Sequence, residues 1–336
     1  MPIIIICLST RYLRRWIITG LSNEIYQAAL ACGYDNCGII APEDLTGIKE
    51  RLQERMGKVP SSAAIYGGMR IYEPVKDRFP WAKSIIVLTA EHGKYRYPPE
   101  LRGRYAKAFF LSPEEGHTDS FDHVQFERWL TEHHIRWDGV DAVPLRYAAM
   151  KAGLGIIRRN NFFYTERGSF VSLTAYIVDC ECTLYQQTNI RPCSEACTLC
   201  RKACKTGALC DAYTMDPSRC VSFWTTFGKG NIPGFLEESM FEEWICGCDN
   251  CQDACPYNRK HNWDEGNSFS NLEEIAAKLV PEKLLEQTDT FIEQQIIPKT
   301  ADHLMPGDSA VLRHSAERAV RNRKIQLIEK NTPGQR

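Results

Sequence analysis

Cysteine supplies the chemistry that is easiest to see in this sequence. Residues 247–258 read GCDNCQDACPYN, three cysteines within eight positions and a proline directly behind the last. A second block, CSEACTLCRKAC, carries Cys193, Cys197, Cys200 and Cys204, and Cys220 lies between the two. Both blocks contain C-x2-C-x3-C. In bacterial two-cluster ferredoxins this is the end of a longer run, C-x2-C-x2-C-x3-C-P, which gives three thiolates to one [4Fe-4S] cluster and sends the fourth to the other. On this pattern Cys193, Cys197, Cys200 and Cys255 hold one cluster, while Cys204, Cys220, Cys248 and Cys251 hold the second, so Cys204 and Cys255 cross between the blocks. Two features depart from the pattern: three residues separate Cys193 from Cys197, and Lys205 follows Cys204 where ferredoxins place proline. The competing assignment is a pair of tetrahedral zinc sites, which also suit C-x2-C. The C-x3-C-P ending and the lack of a finger-type Cys/His pairing weigh against zinc, and an iron and acid-labile sulfide assay separates the two.

The chain has 336 residues and fifteen cysteines, with Cys7, Cys32 and Cys37 early and the other twelve between Cys180 and Cys255. Disulfide-dense scaffolds are small and secreted, whereas this chain is long enough for a buried core. Its opening, MPIIIICLSTRYLRRWIITG, places the apolar run before the arginines, the reverse of a signal peptide. No stretch approaches the ~20 apolar residues of a membrane span. A cytoplasmic protein without membrane attachment is therefore expected, and in that reducing compartment clustered cysteines bind metal more often than they pair. The remaining Cys7, Cys32, Cys37, Cys180, Cys182, Cys210 and Cys246 read as buried hydrophobes or incidental thiols, with Cys246 a substitute ligand beside Cys248. A net charge of -1 gives no global case for nucleic acid, so any basic surface must be local.

The elements that must position these thiols follow from periodicity. LSNEIYQAALACGYDNCGII reads as helix, glycine turn and short strand, and TGIKERLQERMGK as a helix. WAKSIIVLTAEH is a buried strand, DSFDHVQFERWLTEHHI a helix behind an Asp/Ser cap, and GSFVSLTAYIVD a further strand. AVPLRYAAMKAGLG reads as a helix opened by Pro144 and stopped by Gly153 and Gly155. These elements place an α/β domain over residues 1–179 and a cysteine-rich domain over 180–262. Residues 263–336 form a helical C-terminal segment that looks like an appendage.

Two clusters in series pass electrons one at a time and need a terminus. There is no G-x-G-x-x-G after a strand and no P-loop to supply a nucleotide site. The stretch VDAVPLRYAAMKAGLGIIRRNNFFYTERGSF instead combines a carboxylate, a glycine-flanked helix end and a polar loop, features that suit a bulky cofactor. On the residues alone Asp141 reads as a cap for the helix that Pro144 opens.

The order VDAVPL, AGLG, RRNN, ERGSF, then the two cysteine blocks, together with ALACGYDNCGI, WAKSIIVL and GRYAK, resembles the cobalamin-dependent epoxyqueuosine reductases, relatives of the reductive dehalogenases. The likeness runs through most of the chain. It implies an α+β architecture, with a nitroreductase-like α/β domain carrying a base-off corrinoid, a ferredoxin-like double [4Fe-4S] domain and a short helical end. It further implies reduction of epoxyqueuosine to queuosine in tRNA, with electrons from an external donor such as a flavodoxin or ferredoxin passing through both clusters to the corrinoid. Asp141 falls on the aspartate of the family's VD-x-x-PL motif and is implied as the proton donor, since loss of an epoxide oxygen as water requires protons and a partly desolvated carboxyl retains one. Gly153, Gly155, Asn160, Gly168 and Ser169 fall on family positions lining the corrin, although ordinary turns use the same residue types. Arg104 and Tyr105 match an Arg-Tyr-Ala stretch. Arg158 and Arg159 replace the family's Gly-Lys, which keeps a cation and adds bulk, and Arg159 is counted with the corrinoid contacts. His123, His133 and His134 read as helix-surface residues.

A tRNA substrate requires cations for its phosphates. Arg313, Arg318, Arg321, Arg323 and Lys324 of RHSAERAVRNRK are candidates, as is KDRFPWAK, and a solvated helix face accounts for them equally well. Two other classes stay open at this level: a reductive dehalogenase-like enzyme on another substrate, and a two-cluster electron carrier or corrinoid-reactivating protein.

Overall fold

The computed structural model describes residues 20–110, 121–139, 143–268, 272–300 and 304–331. Helix α1 (Gly20–Ala31) leads through the left-handed turn at Gly33 into β1 (Asn36–Ile40), and α2 (Ile48–Lys58) follows. Strand β2 (Ser84–Ala90) is buried at every residue. Helix α3 (His123–Glu132) starts at Asp122, whose carboxylate accepts from the Gln125 amide at 2.8 Å, the cap its sequence predicts. The chain continues through β3 (Trp137–Asp138), α4 (Leu145–Lys151), the hairpin β4 (Ile156–Ile157) and β5 (Phe163–Tyr164), and β6 (Ser172–Val178).

The main sheet runs β1-β2-β6-β3 and every pairing is antiparallel, which makes the architecture α+β. Strands β2 and β6 pair from Ser84 opposite Val178 to Ala90 opposite Ser172. Alternate residues of β2 enter two different cores. Ile86 and Leu88 pack with Ile25 and Ala29 of α1, whereas Ile85 and Val87 pack with Ala148 and Ala149 of α4. A strand covered on both faces needs no polar alternation, and this is why WAKSIIVLTAEH is continuously apolar.

The cysteine-rich segment contributes the short helices α5 (Leu199–Ala203) and α6 (Asn250–Asp253), which pack against each other. After it come α7 (Leu272–Leu279), α8 (Pro281–Leu285) and the long α9 (Ser309–Asn331). These last helices are not an appendage. Leu279, Leu284, Leu312 and Ala316 belong to the same core as α1 and the sheet, and the Tyr105 hydroxyl donates to the Leu279 carbonyl at 3.0 Å.

A three-residue ionic tie fastens the end of the chain. Glu243 accepts from Arg104 Nε at 2.9 Å and from Arg323 Nε of α9 at 3.0 Å. Burial pushes the Glu243 carboxyl up, but the two guanidiniums more than reverse this and hold it below its ordinary value of 4.5. A carboxyl depressed by folding stabilises the native state above its unfolded pKa, and that contribution is lost as pH falls through the folded one. Glu243→Gln should therefore lower the thermal midpoint at pH 7 and narrow its gap to wild type as pH drops below 4.5. A gap that stays constant from pH 7 to pH 3 would show that the tie carries no charge-dependent stability.

Candidate functional site

Helices α5 and α6 set the two cysteine blocks side by side. Cys200 lies within α5 and Cys204 ends it, while Cys251 lies within α6. Burial pushes the Cys200 thiol up, and the charges of Cys197, Cys255 and Cys193 add to it. Cys251 is pushed up by burial and then by Cys220 and Cys204, Cys248 by burial and by Cys251 and Cys220, and Cys220 by burial and by Cys204. The thiols that repel one another thus form two sets, Cys193, Cys197, Cys200 and Cys255 in one, Cys204, Cys220, Cys248 and Cys251 in the other. Cys200 also raises Cys251, so the sets are neighbours. Cys246, fully buried, donates instead to the Thr225 carbonyl at 3.5 Å, and Cys210 is exposed.

Three anchors join this cysteine-bearing unit to the sheet region. Ser169 donates its amide to Asn258 Oδ1 at 2.9 Å, and its hydroxyl accepts from Asn258 at 2.7 Å and Gln252 at 2.9 Å. Asn160 Nδ2 donates to the Tyr164 hydroxyl at 2.8 Å and to the Cys251 carbonyl at 3.3 Å. The third anchor, Lys107, is almost wholly buried. Its amide donates to Asp249 at 2.8 Å and its ammonium reaches Asp253 at 2.7 Å and Asp249 at 3.4 Å, over the rings of Trp263 and Phe170. Burial raises the Asp249 carboxyl, and Lys107 opposes that rise.

A cavity of about 800 Å³ is lined by α2, the start of α4 and residues 212–214. Its apolar side comes from Leu52 of α2, from Val143 and Leu145 at the start of α4, and from Ile157 and Leu173; Ala212, Tyr213 and Thr214 of the cysteine-rich segment add a wall. Arg51, Arg55 and Lys58 occupy one face of α2 at i, i+4 and i+7, and Arg146 faces them. Arg55 donates to Asn161 Oδ1 at 3.4 Å and Arg146 to the Asn161 carbonyl. Among the described residues neither guanidinium has a carboxylate partner. Burial, then the charge of Arg146, lowers the Arg55 pKa. Burial pushes the Tyr66 hydroxyl up; the charge of Arg146 opposes this and that of Cys220 adds to it.

Sequence reasoning placed other residues here. Asp141 lies outside the described residues; Val143 and Pro144, just after it, line the cavity. None of Arg104, Tyr105, Gly153, Gly155, Arg159, Asn160, Gly168 or Ser169 lines it. Gly153, at φ +76°, would drive a Cβ to 1.9 Å from the Gln186 carbonyl oxygen, and Gly155 to 2.1 Å from that of Tyr164, so both allow backbone to approach backbone. Gly168, at φ +128°, lies against Asn258. Arg104 belongs to the ionic tie, Tyr105 is buried against α7, and the Arg159 carbonyl accepts from the Tyr213 amide at 2.9 Å. Of the phosphate candidates on α9, Lys324 is exposed and the four arginines have protein partners. Arg318 is fully buried and donates to the Trp244 carbonyl, Arg313 pairs with Asp289, Arg321 with Glu238, and Arg323 with Glu243 and Glu282. The cationic face of α2 was missed, although Arg51, Arg55 and Lys58 stand at helical spacing in IKERLQERMGK.

The 4Fe-4S double cluster binding domain family matches residues 193–258. An epoxyqueuosine reductase of Leadbetterella byssophila is 30% identical over 268 residues, 75% of this chain and 85% of that one. The epoxyqueuosine reductase from Bacillus subtilis, solved with an aspartate-bearing catalytic loop swung out of the active site, superposes with a TM-score of 0.70 at 21% identity, covering 94% of this chain and 86% of that one. An epoxyqueuosine reductase solved with an epoxyqueuosine-modified tRNA-Tyr stem loop gives 0.68 at 22% identity, over 90% and 81%.

Cys255 is the test of the crossed arrangement, because it sits in the second block and repels the thiols of the first. Cys255→Ser should cost about four of eight irons and leave the second cluster's reduced signal in place. Iron, sulfide and electron paramagnetic resonance measured on one preparation check this, and a full complement of iron would remove Cys255 from the ligand set.

Proposed function

We propose, from the premise that the chain belongs to the epoxyqueuosine reductase family, that this iron–sulfur oxidoreductase removes the epoxide oxygen of epoxyqueuosine in a tRNA anticodon loop, with Asp141 as proton donor and the 800 Å³ cavity as the site of reaction. The observation that carries this reading is that one cavity is walled both by residues directly following Asp141 and by Tyr213 and Thr214 of the cysteine-rich segment. On this reading electron supply and proton supply meet at that cavity. Loss of the oxygen as water takes two electrons and two protons, and clusters deliver the electrons singly.

The cavity suits a cobalamin. Its volume lies toward the upper end of the roughly 300–1,000 Å³ typical of cofactor sites, and Leu52, Val143, Leu145, Ile157 and Leu173 offer an apolar bed for a flat macrocycle. When bound, the corrinoid supplies a low-potential metal centre that passes cluster electrons to the substrate carbon. Tyr213 and Thr214 would hold its edge on the cluster side. Arg51, Arg55, Lys58 and Arg146 outnumber Glu54 at the mouth and favour an anionic strand, so the RNA phosphates meet α2 and not α9. Asn161 keeps Arg55 and Arg146 oriented by accepting from both. The electron donor is a flavodoxin or ferredoxin and the compartment is the cytoplasm; no helix among the described residues is long and apolar enough to cross a membrane.

Asp141→Asn keeps a side chain of similar size and removes the transferable proton. Cluster and corrinoid spectra should be unchanged while turnover on epoxyqueuosine-containing stem loops falls about 10²- to 10⁴-fold, the range for a lost general acid. Turnover within a few-fold of wild type would reject the role.

A further inference from the structure

Arg158 sits at the turn between β4 and β5, where its amide donates to the Phe162 carbonyl at 3.0 Å. Its side chain is buried, with 1% relative exposure for the residue. A guanidinium does not lose its proton inside a protein, so this is a permanent buried cation. Such a charge is costly without a counter-charge. Lys107, similarly buried, has the carboxylates of Asp249 and Asp253. Arg158 has no carboxylate partner among the described residues. Its Cζ lies 3.4 Å from the centroid of the Tyr257 ring and 5.1 Å from that of Tyr164, cation–π contacts that supply no counter-charge. One nitrogen, Nη1, donates to Cys193 Sγ at 3.6 Å, while Nε and Nη2 are buried without a hydrogen-bond partner.

We propose that Arg158 is the built-in counter-cation of the first cluster, donating to the Cys193 thiolate and to cluster sulfur through its otherwise unpartnered N–H groups, and that it raises that cluster's reduction potential. The inference rests on the cluster assignment and not on the substrate. A cluster held by four thiolates is anionic and gains one further negative charge on reduction. A fixed cation beside it therefore stabilises the reduced form more than the oxidised one. Net charge and hydrogen bonds to sulfur are among the factors that set cluster potentials. The step concerned is the transfer of one electron from a reduced one-electron donor protein to the oxidised first cluster; the donor is oxidised by one electron and Arg158 neither gains nor loses a proton.

The test is a dithionite titration with viologen mediators, followed by electron paramagnetic resonance, on reconstituted protein without substrate or corrinoid. Iron and sulfide are counted first for Arg158→Met and Arg158→Lys, and the second cluster serves as internal reference. Arg158→Met should lower the reduced-to-oxidised ratio of the first cluster at least tenfold at fixed ambient potential, a 59 mV fall for one electron. Arg158→Lys, which keeps the charge but loses the planar fork, should shift it less, and the second cluster should stay put. Loss of the first cluster in the Met variant alone would likewise support the counter-cation. An unchanged first potential, equal shifts in both variants, or loss of the first cluster in both would overturn it. Because neither tRNA nor cobalamin enters the titration, its failure is distinct from failure of the proposed reaction.

Discussion

The structure depends on one electrostatic constraint: a double 4Fe-4S domain needs cysteine thiolates, and four cysteines of this one lie in surroundings that oppose the charge. Burial and mutual repulsion push Cys200, Cys220, Cys248 and Cys251 up, so a thiol left to itself there keeps its proton. Iron must supply the free energy that removes it, and ligand deprotonation thereby becomes part of folding. Irregular chain between Cys193 and Cys255, with only short helices, follows from this. The segment buries one small apolar cluster of its own, around Val221, Leu236, Phe241 and Trp244, and takes the rest of its order from the metal and from its neighbours.

Those neighbours explain why the sheet region is built as it is. Ser169, Asn160 and Lys107 stand on three separate stretches of the first half and converge on Asp249 to Asn258, the part of the chain that brings Cys248, Cys251 and Cys255. A buried network of this kind tolerates no loose member, because each unpaired group would bear its full desolvation cost. Backbone approach of Gly153 to Gln186 and of Gly155 to Tyr164 fixes the end of α4 and the β4–β5 hairpin, whose turn carries Arg158 against Cys193 and Asn161 against the cavity.

Local pattern was legible, and partnership was not. The spacing of the cysteines, the buried run of β2, the Asp122 cap and the end of α4 at Gly153 are short-range signals, set by rules that act within a few residues. GRYAK was read for Arg104 and Tyr105, whereas the side chain that reaches Asp249 and Asp253, beside Cys248 and Cys251, is that of Lys107, and only the tertiary fold decides which cation of such a stretch is buried there. Arg318 and Arg323 look like solvated helix charges because the sequence does not show Trp244 or Glu243 opposite them. The glycines illustrate a subtler limit. Small residues were needed for close approach, as expected, but what approaches Gly153 and Gly155 is the chain's own backbone.

The buried and half-buried cations form a sequence of their own along the route an electron would take. Among the described residues, Arg158 beside the first thiol set has no carboxylate partner; beside the second, Lys107 is neutralised by Asp249 and Asp253; at the cavity, Arg55 and Arg146 again have none. Positive charge is thus left unneutralised at the two ends and cancelled in the middle. A cation stabilises an added electron nearby more than one farther off. The second set, flanked by Asp249, receives the least help, so an electron resting there is the least stabilised of those on the route. Substituting the cations would redistribute occupancy along the route without altering any iron ligand, and the protein can tune electron flow with side chains that never touch the substrate.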